Sequence, residues 1–506
     1  MLFFSSSQYG ILWLMDLLPL DHQGEAPLYR QLFDQIAGQI RSGRMARGER
    51  LPATRELAGL LGLNRATISA AYEMLETGGL IAGHVGRGSF VTGSAAAPAT
   101  ASRGFDWRPL LGRNGSPVTV APLSGKDLIS FVASRPSDAL FPLDEFRAAC
   151  RAVLERSDLA EILQLGSPAG YEPLRRHLLE ESRRQGLAMP GDDLIVTNGC
   201  QQALDLIGRV LLAPGDRVAI EDPVYAGLKN VLAGMGAQLA GVPVGADGID
   251  MAQLRRLLDR EPPRFVVITS NFQNPTGATL PLASRLGLLE AAHAAGVPVV
   301  ENDPYCDLRY LGEAVPAVKQ LDQRGGTVLL RSFSKVSFPG LRVGWALGPK
   351  PLIDRMRQAK EACDLHTDQL SQAVLLEFVE SGRLETHRGR VLAAGAERLA
   401  ATLAACREFL PAGSAWTRPE GGMNLWVRLA PPLDAGDVLA SAQSHGVAFL
   451  PGRYFEVSRR DAGALRLSFA GLTPEKIRKG LEILGRVIAE EWERASEDRE
   501  PAAAMV

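Results

Sequence analysis

The sequence predicts two folded units of different class: a small bundle of three helices with a β-hairpin, then a large α/β unit built on a mostly parallel sheet. Three observations predict this. Apolar residues recur at helical spacing from Pro27 onward, and the pattern stays compact to Val91. From Gly93 to about Lys126 the chain is rich in Ala, Pro, Ser, Gly and Thr, the composition of a linker. Beyond it, short apolar runs alternate with helical stretches, as in a parallel sheet covered on both faces. The 506 residues fit one large domain and a smaller one, since an α/β unit exceeds the usual size of roughly 150 residues.

Composition excludes several classes. The apolar share of 46% and charged share of 22% are those of a globular chain, not of a disordered, collagen-like or coiled-coil one. With 55 Lys and Arg against 57 Asp and Glu, there is no bulk attraction to nucleic acid or membrane, so any DNA contact has to come from a local patch. Cys150, Cys200, Cys306, Cys363 and Cys406 are scattered and odd in number. They read as reduced thiols of a cytoplasmic protein, with no metal site expected. The apolar stretch from Leu2 to Leu18 is broken by Ser5-Ser6-Ser7-Gln8 and Asp16 and lacks a basic start, so it is not read as a signal peptide. Met15 is an alternative first residue. The expected division is an extension over 1–22, the small unit over 23–93, a flexible linker over 94–126, the large unit over 127–490 and a loose tail over 491–506.

In the small unit, Leu28, Leu32, Ile36 and Ile40, with Phe33 beside them, form the apolar stripe of a first helix that Ser42-Gly43 ends. Leu51-Pro52 sets an extended approach to a second, marked by Leu57, Leu60 and Leu61 and stopped at Gly62. Asn64 can cap a third, in which Ile68, Ala71, Tyr72 and Leu75 face inward and Arg65, Thr67 and Ser69 face out. Leu80-Ile81-Ala82 and Ser89-Phe90-Val91 flank a glycine-rich tip and read as a hairpin. Three helices and a hairpin make a winged helix-turn-helix, in which Arg55 and Arg65 near helix starts can meet phosphates or base edges and the hairpin carries Arg87 toward a neighbouring groove. The unit is only mildly basic, with eight Arg against six Asp and Glu from Gln23 to Val91, so a module that binds protein remains an alternative.

The runs Pro27-Leu28-Tyr29-Arg30-Gln31-Leu32, Gly48-Glu49-Arg50-Leu51-Pro52-Ala53-Thr54-Arg55-Glu56-Leu57-Ala58, Asn64-Arg65-Ala66-Thr67-Ile68 and Gly86-Arg87-Gly88-Ser89-Phe90-Val91 resemble the DNA-binding domain of the GntR superfamily. The resemblance implies that Arg55, Asn64, Arg65, Thr67 and the wing residues Gly86 and Arg87 contact DNA.

In the large unit, strands are expected at Leu194-Ile195-Val196-Thr197, Arg217-Val218-Ala219-Ile220, Phe265-Val266-Val267-Ile268, Val297-Pro298-Val299-Val300 and Thr327-Val328-Leu329-Leu330. Only eight lysines occur in the chain, and Lys335 follows the last of these strands in Arg331-Ser332-Phe333-Ser334-Lys335. Desolvation at a strand end favours the neutral amine that Schiff-base chemistry with an aldehyde cofactor requires. Ser-x-Ser-Lys alone is a weak signal, and its partners decide. Pyridoxal phosphate needs a carboxylate to keep its pyridine nitrogen protonated, and Asp303 follows a buried strand. Tyr305 and Asn274 can reach the ring oxygen, and Tyr225 can stack on the ring. Gly199, Cys200 and Gln201 sit where a strand turns into a helix, as a phosphate requires. Ser332, Ser334 and Arg342 add further donors. Taken singly, Asn274-Pro275-Thr276-Gly277 is a turn, Asp303 a helix cap and Tyr225 a core ring; their joint occurrence is what points to a site.

Pro168-Ala169-Gly170-Tyr171, Asp222-Pro223-Val224-Tyr225, Asn274-Pro275-Thr276-Gly277, Asp303-Pro304-Tyr305, Ser332-Phe333-Ser334-Lys335, Pro339-Gly340-Leu341-Arg342 and Ala464-Leu465-Arg466-Leu467-Ser468 are similar to segments of the fold-type I, class I/II aminotransferases. The resemblance implies Lys335 as the catalytic lysine bonded to the cofactor, Asp303 at the pyridine nitrogen, Tyr305 and Asn274 at the ring oxygen, and Arg342 at the phosphate. It also makes Arg466 the clamp for an amino-acid carboxylate, with Gly170 in the substrate site. The whole order resembles the MocR-type regulators, which implies a pyridoxal-phosphate-dependent DNA-binding regulator that forms a head-to-tail homodimer, binds an operator and senses an amino acid, an amine or the cofactor itself. A catalytically active aminotransferase is the alternative, and a cofactor-binding protein whose wing mediates protein contacts is a third.

Overall fold

The computed structural model describes residues 20, 26–84, 88–92, 128–458 and 460–497. The chain divides into two compact units, residues 1–112 and 113–506.

The small unit has helices α1 (Leu28–Arg41), α2 (Thr54–Leu61) and α3 (Arg65–Thr77), followed by strands β1 (Ile81–His84) and β2 (Gly88–Val91). Leu32, Ile36 and Ile40 of α1 pack with Leu57 of α2 and Ile68, Ala71, Tyr72 and Leu75 of α3 in one core. Helical periodicity alone fixes that face. Gly62 ends α2 in the left-handed conformation, and Asn64 caps α3 by accepting from the Ala66 amide at 3.0 Å. Strands β1 and β2 pair antiparallel, with Ile81 opposite Val91, and the chain at 48–51 bonds along the outer edge of β2. Leu60, which marked α2 in the sequence, is 57% exposed: α2 has only eight residues, and Leu57 and Ala58 already fill its buried face.

The large unit holds an eight-stranded sheet. In spatial order its strands are Asp192–Thr197, Gly344–Pro349, Thr327–Ser332, Val299–Asn302, Val266–Ile268, Arg217–Asp222, Gln238–Gly245 and Gly248–Ile249. All five expected runs reach a strand, with Phe265, Val297 and Pro298 falling just before theirs. The sheet is mostly parallel, as expected, with two reversed strands: Gly248–Ile249 is antiparallel to Gln238–Gly245, and Gly344–Pro349 runs antiparallel to both its neighbours. The connection 333–343 explains this: it is shorter than the dozen or more residues of a parallel crossover, so the chain has to turn straight back. That short return carries Lys335 and Arg342 to the sheet's end. Helices cover both faces and bury Leu194, Val196 and Leu329 on one side and Ile195, Val300 and Leu330 on the other.

A second lobe stacks the antiparallel strands Ala415–Trp416, Asn424–Arg428, Ala464–Ser468 and Leu450–Pro451 against helices Arg383–Phe409 and Pro474–Glu497. Ile129–Ser130 pairs with Val447–Ala448, tying the start of the large unit to this lobe. The last helix continues to Glu497, into the segment expected to be loose. Ile477, Leu481, Leu484, Val487 and Ile488 bury its apolar stripe, and the charged residues that follow are good helix formers that extend it. Among the described residues, no helix is long and apolar enough to cross a membrane.

Candidate cofactor site

A cavity of about 510 Å³ opens at the strand ends of the large unit. The strand Thr327–Ser332 runs into a single 3₁₀ turn, Phe333–Lys335, which aims Lys335 into it. Lys335 Nζ donates to the Ser134 carbonyl at 2.8 Å and lies 5.3 Å from the centre of the Tyr305 ring. It is the one lysine lining the cavity, among the described residues.

One end of the cavity is built for an anion. Gly199, at φ 79°, caps the helix Cys200–Leu211, and Cys200 and Gln201 present the helix N-terminus to the cavity. Arg342 Nη2 donates to the Asn198 carbonyl at 3.0 Å, and Ser332 and Ser334 share a 2.8 Å hydroxyl bond beside it. A Cβ at Gly199 would lie 2.6 Å from Arg342 Nη2, so only glycine leaves room for this approach. Burial pushes the Cys200 thiol up to about 12, so it stays protonated and its backbone N–H is the group that matters here.

The opposite wall is a hydrogen-bonded chain of polar side chains. Asn274 Nδ2 donates to Tyr305 Oη at 3.4 Å, and Arg466 Nη1 donates to Asn274 Oδ1 at 3.0 Å. Arg466 also donates to the Val132 carbonyl and lies 4.8 Å from the centre of the Phe455 ring, while its buried Nε has no partner. Burial lowers the Arg466 guanidinium to about 10, against the opposing pull of Tyr305 and Tyr225. Burial also resists ionisation of the Tyr305 phenol, but Lys335, the Ser134 hydrogen bond and Arg466 outweigh it and hold the phenol below its ordinary value. Tyr225 lies at the cavity's edge, its ring folded over Gly227, where a Cβ would come within 2.4 Å of it.

Three expected site residues are absent from the cavity's lining: Gly199, which borders it as the cap of the helix Cys200–Leu211, and two that lie away from it. Asp303 does not line it. It accepts from Asn271 Nδ2 at 2.9 Å and lies 3.7 Å from the Arg331 guanidinium, on the other side of the sheet. Burial pushes its carboxyl up, to about 6, with Arg331 pulling it back. The reason is strand alternation. Val300 packs with Leu204, which lines the cavity, whereas Glu301 accepts from Ser270 Oγ at 2.6 Å and from the Val318 and Lys319 amides. Asn302 therefore shares the Val300 face and lines the cavity, and Asp303 shares the Glu301 face. Continuing the period-2 pattern two residues past Val300 would have found Asn302. Gly170, expected in the substrate site, is also absent from the lining. At φ 108° it brings its loop so close to the sheet that a Cβ would lie 2.6 Å from Val196 Cβ. Ser134, which holds Lys335, and Phe455, beneath Arg466, carry no motif and could not be singled out from the sequence.

In the small unit, Arg55 and Arg65 are exposed and Thr67 is half-buried. Asn64 is also exposed, with its oxygen engaged in capping α3. The wing tip with Gly86 and Arg87 lies outside the described residues, as does the whole of the expected linker, 94–126.

The profile of the family "Aminotransferase class I and II" matches residues 137–484, and that of "Bacterial regulatory proteins, gntR family" matches residues 28–91. The aromatic-amino-acid aminotransferase 1 of Thermococcus litoralis is 35% identical over 73% of this chain and 89% of its own length. The probable rhizopine catabolism regulatory protein MocR of Rhizobium meliloti is 30% identical over 92% of this chain and 95% of its own. Among solved structures, the α-aminoadipate aminotransferase LysN of Thermus thermophilus, complexed with N-(5'-phosphopyridoxyl)-L-leucine, superposes with a TM-score of 0.70 at 34% identity, covering 76% of this chain and 99% of its own.

Proposed function

The chain belongs to the class I and II aminotransferase family and carries a gntR-family unit ahead of it, and on that premise we propose that it is a DNA-binding transcription regulator whose large unit holds pyridoxal phosphate on Lys335. The observation that carries this reading is coverage. The regulator from Rhizobium meliloti matches 92% of the chain, both units in the same order, whereas the Thermococcus litoralis aminotransferase matches 73%.

The residues present fit retention of the cofactor. When bound, pyridoxal phosphate supplies an aldehyde that condenses with amines. Lys335 is the amine aimed at it, steadied by the Ser134 carbonyl. The helix N-terminus at Cys200, with Arg342, Ser332 and Ser334, would seat the phosphate, and the Cβ-free space at Gly199 is the cradle. Tyr305 and Asn274 would take the ring oxygen, with Tyr225 over the ring. The unpartnered Nε of Arg466 suits a bidentate carboxylate, which favours an amino acid among the candidate effectors. A site built for a carboxylate predicts that Arg466→Ala weakens amino-acid binding by roughly 1.5–3 kcal/mol and leaves binding of amines without a carboxylate nearly unchanged. Spectral titration of the reconstituted chain measures both.

A head-to-tail homodimer would set two winged units on paired half-sites. The effector would act by binding one arrangement of those units better than the other. A gel shift with the DNA upstream of the chain's own gene, with and without cofactor, tests the regulator reading. A specific, salt-sensitive shift is expected, and its absence would sink the reading. In the same assay Arg65→Ala should weaken binding by about 1–3 kcal/mol if Arg65 reads a base; undiminished affinity would remove Arg65 from the interface.

The 35% identity to an aminotransferase favours a second reading, an enzyme acting on amino acids. Dialysed protein supplied with amino acids and 2-oxoglutarate decides: turnover near the enzyme median of about 10 per second would support it.

A further inference from the structure

Resting on the reading that this cavity holds pyridoxal phosphate, we infer that Asn302 is the side chain presented to the cofactor's ring nitrogen, and that it leaves this nitrogen unprotonated. Asn302 ends the strand Val299–Asn302, lines the cavity and is 8% exposed. Its Oδ1 has no hydrogen-bond partner. The other polar side chains deep in the lining have other tasks: Asn274 and Tyr305, bonded to each other, face the ring oxygen, Arg466 keeps its free Nε for a carboxylate, Ser332 bonds Ser334 and the Val343 carbonyl, and Thr269 bonds Glu221. The ring nitrogen lies para to the aldehyde carbon, so a cofactor joined to Lys335 turns its nitrogen away from that lysine, into the cavity. Of the buried lining groups, Asn302 is the amide still open to it.

No Asp or Glu lines the cavity, among the described residues. The acidic side chains at the surrounding strand ends are held from elsewhere. Glu221 accepts from the Thr269 amide at 3.1 Å, Asp222 from the Val457 and Ser458 amides at 2.9 Å, Glu301 from Ser270, and Asp303 from Asn271. The charged side chains that do line it, Lys335, Arg342 and Arg466, are all cationic. The amide of Asn302, turned about its last bond, can present Nδ2–H instead of Oδ1 and donate to a neutral pyridine lone pair, but in either orientation it brings no charge to offset a buried pyridinium. The chemistry divides at that point. Exchange of amines at the aldehyde carbon needs no protonated ring: the incoming nitrogen would take over the C=N bond, and Lys335 would leave as a free amine carrying the two protons the newcomer gave up. Removal of the Cα proton does need the ring as an electron sink. The site therefore holds and exchanges amines and is slow to transaminate them, which suits a sensor.

The test is ¹⁵N NMR of the full chain reconstituted with pyridoxal phosphate labelled at the ring nitrogen. A neutral-pyridine signal is expected from the wild type and a pyridinium signal from Asn302→Asp. With L-glutamate as the probe donor, Asn302→Asp should also raise the single-turnover rate of conversion to the pyridoxamine form roughly 100-fold. A pyridinium signal in the wild type overturns this inference and leaves the cofactor reading standing. Failure of the wild type to bind the labelled cofactor overturns both. Should Asn302→Asp not fold, Asn302→Ala decides the residue: loss of the hydrogen bond has to move the neutral signal, and an unmoved signal removes Asn302.

Discussion

Lys335→Ala is expected to leave the full chain colourless after reconstitution with pyridoxal phosphate and to release the cofactor on dialysis. The reason lies in where the chain's amines are. Lys229 donates to the Tyr454 and Glu456 carbonyls, Lys319 pairs with Asp192 at 2.8 Å and Lys360 with Asp364 at 2.7 Å. None of these lines the cavity, and Lys335 does. Its removal takes away the only covalent anchor and leaves the anion seat at Gly199, Cys200 and Arg342 to hold the cofactor weakly. Absorbance of the dialysed protein measures the loss, and borohydride reduction followed by peptide mapping locates the bond in the wild type. A label on another lysine would refute the assignment. Lys335 is only half-buried and the winged unit is a separate compact body. The variant should therefore still fold, and any change in its DNA affinity reports the sensor rather than damage to the reader.

Asp303→Ala is expected to split the other way, costing about 3–5 kcal/mol of stability while keeping the colour. Asp303 is 0% exposed and faces the Arg331 guanidinium at 3.7 Å, with Asn271 donating to its other oxygen at 2.9 Å. Truncation leaves the half-buried Arg331 guanidinium without its carboxylate and takes from Asn271 its shorter acceptor, and loss of a partner to a desolvated charge is among the costliest of single changes. Urea unfolding of the large unit measures the first part, and absorbance of the reconstituted chain the second. If the variant were as stable as the wild type but unable to keep the cofactor, Asp303 would be a cofactor ligand after all, and the placement of Asn302 would fail with it. The pH dependence has a definite sign. The carboxyl titrates higher in the folded protein, at about 6, than in an unfolded chain, at about 3.9. Its contribution to stability is therefore complete below the unfolded value and is lost as the pH rises through about 6.

Lys335 and Asp303 mark the boundary of what a reader of the sequence can reach. The core of α3 was legible because helical spacing is a local property: Ile68, Ala71, Tyr72 and Leu75 all face inward. The strands were legible because each is a short apolar run, and the lysine because few others compete with it. The position of Asp303 outside the lining was not legible, because a carboxylate after a strand looks right in one dimension while a one-residue step reverses the side of the sheet. The same holds for Gly170, because a motif glycine marks close approach without saying to what, and here the neighbour is Val196.

By itself the sequence determined the order of the two units, the apolar face of each helix of the small unit, the run of strands and the lysine that the fold aims into the cavity. These rest on spacing within a dozen residues or so. Only the tertiary structure decided the antiparallel strand that returns Arg342 toward the cavity, the carbonyl of Ser134 beneath Lys335, and the presence of Asn302 rather than Asp303 in the cavity lining. Each of these depends on residues far apart in the chain meeting at the end of a sheet, and on which face a side chain takes when it arrives.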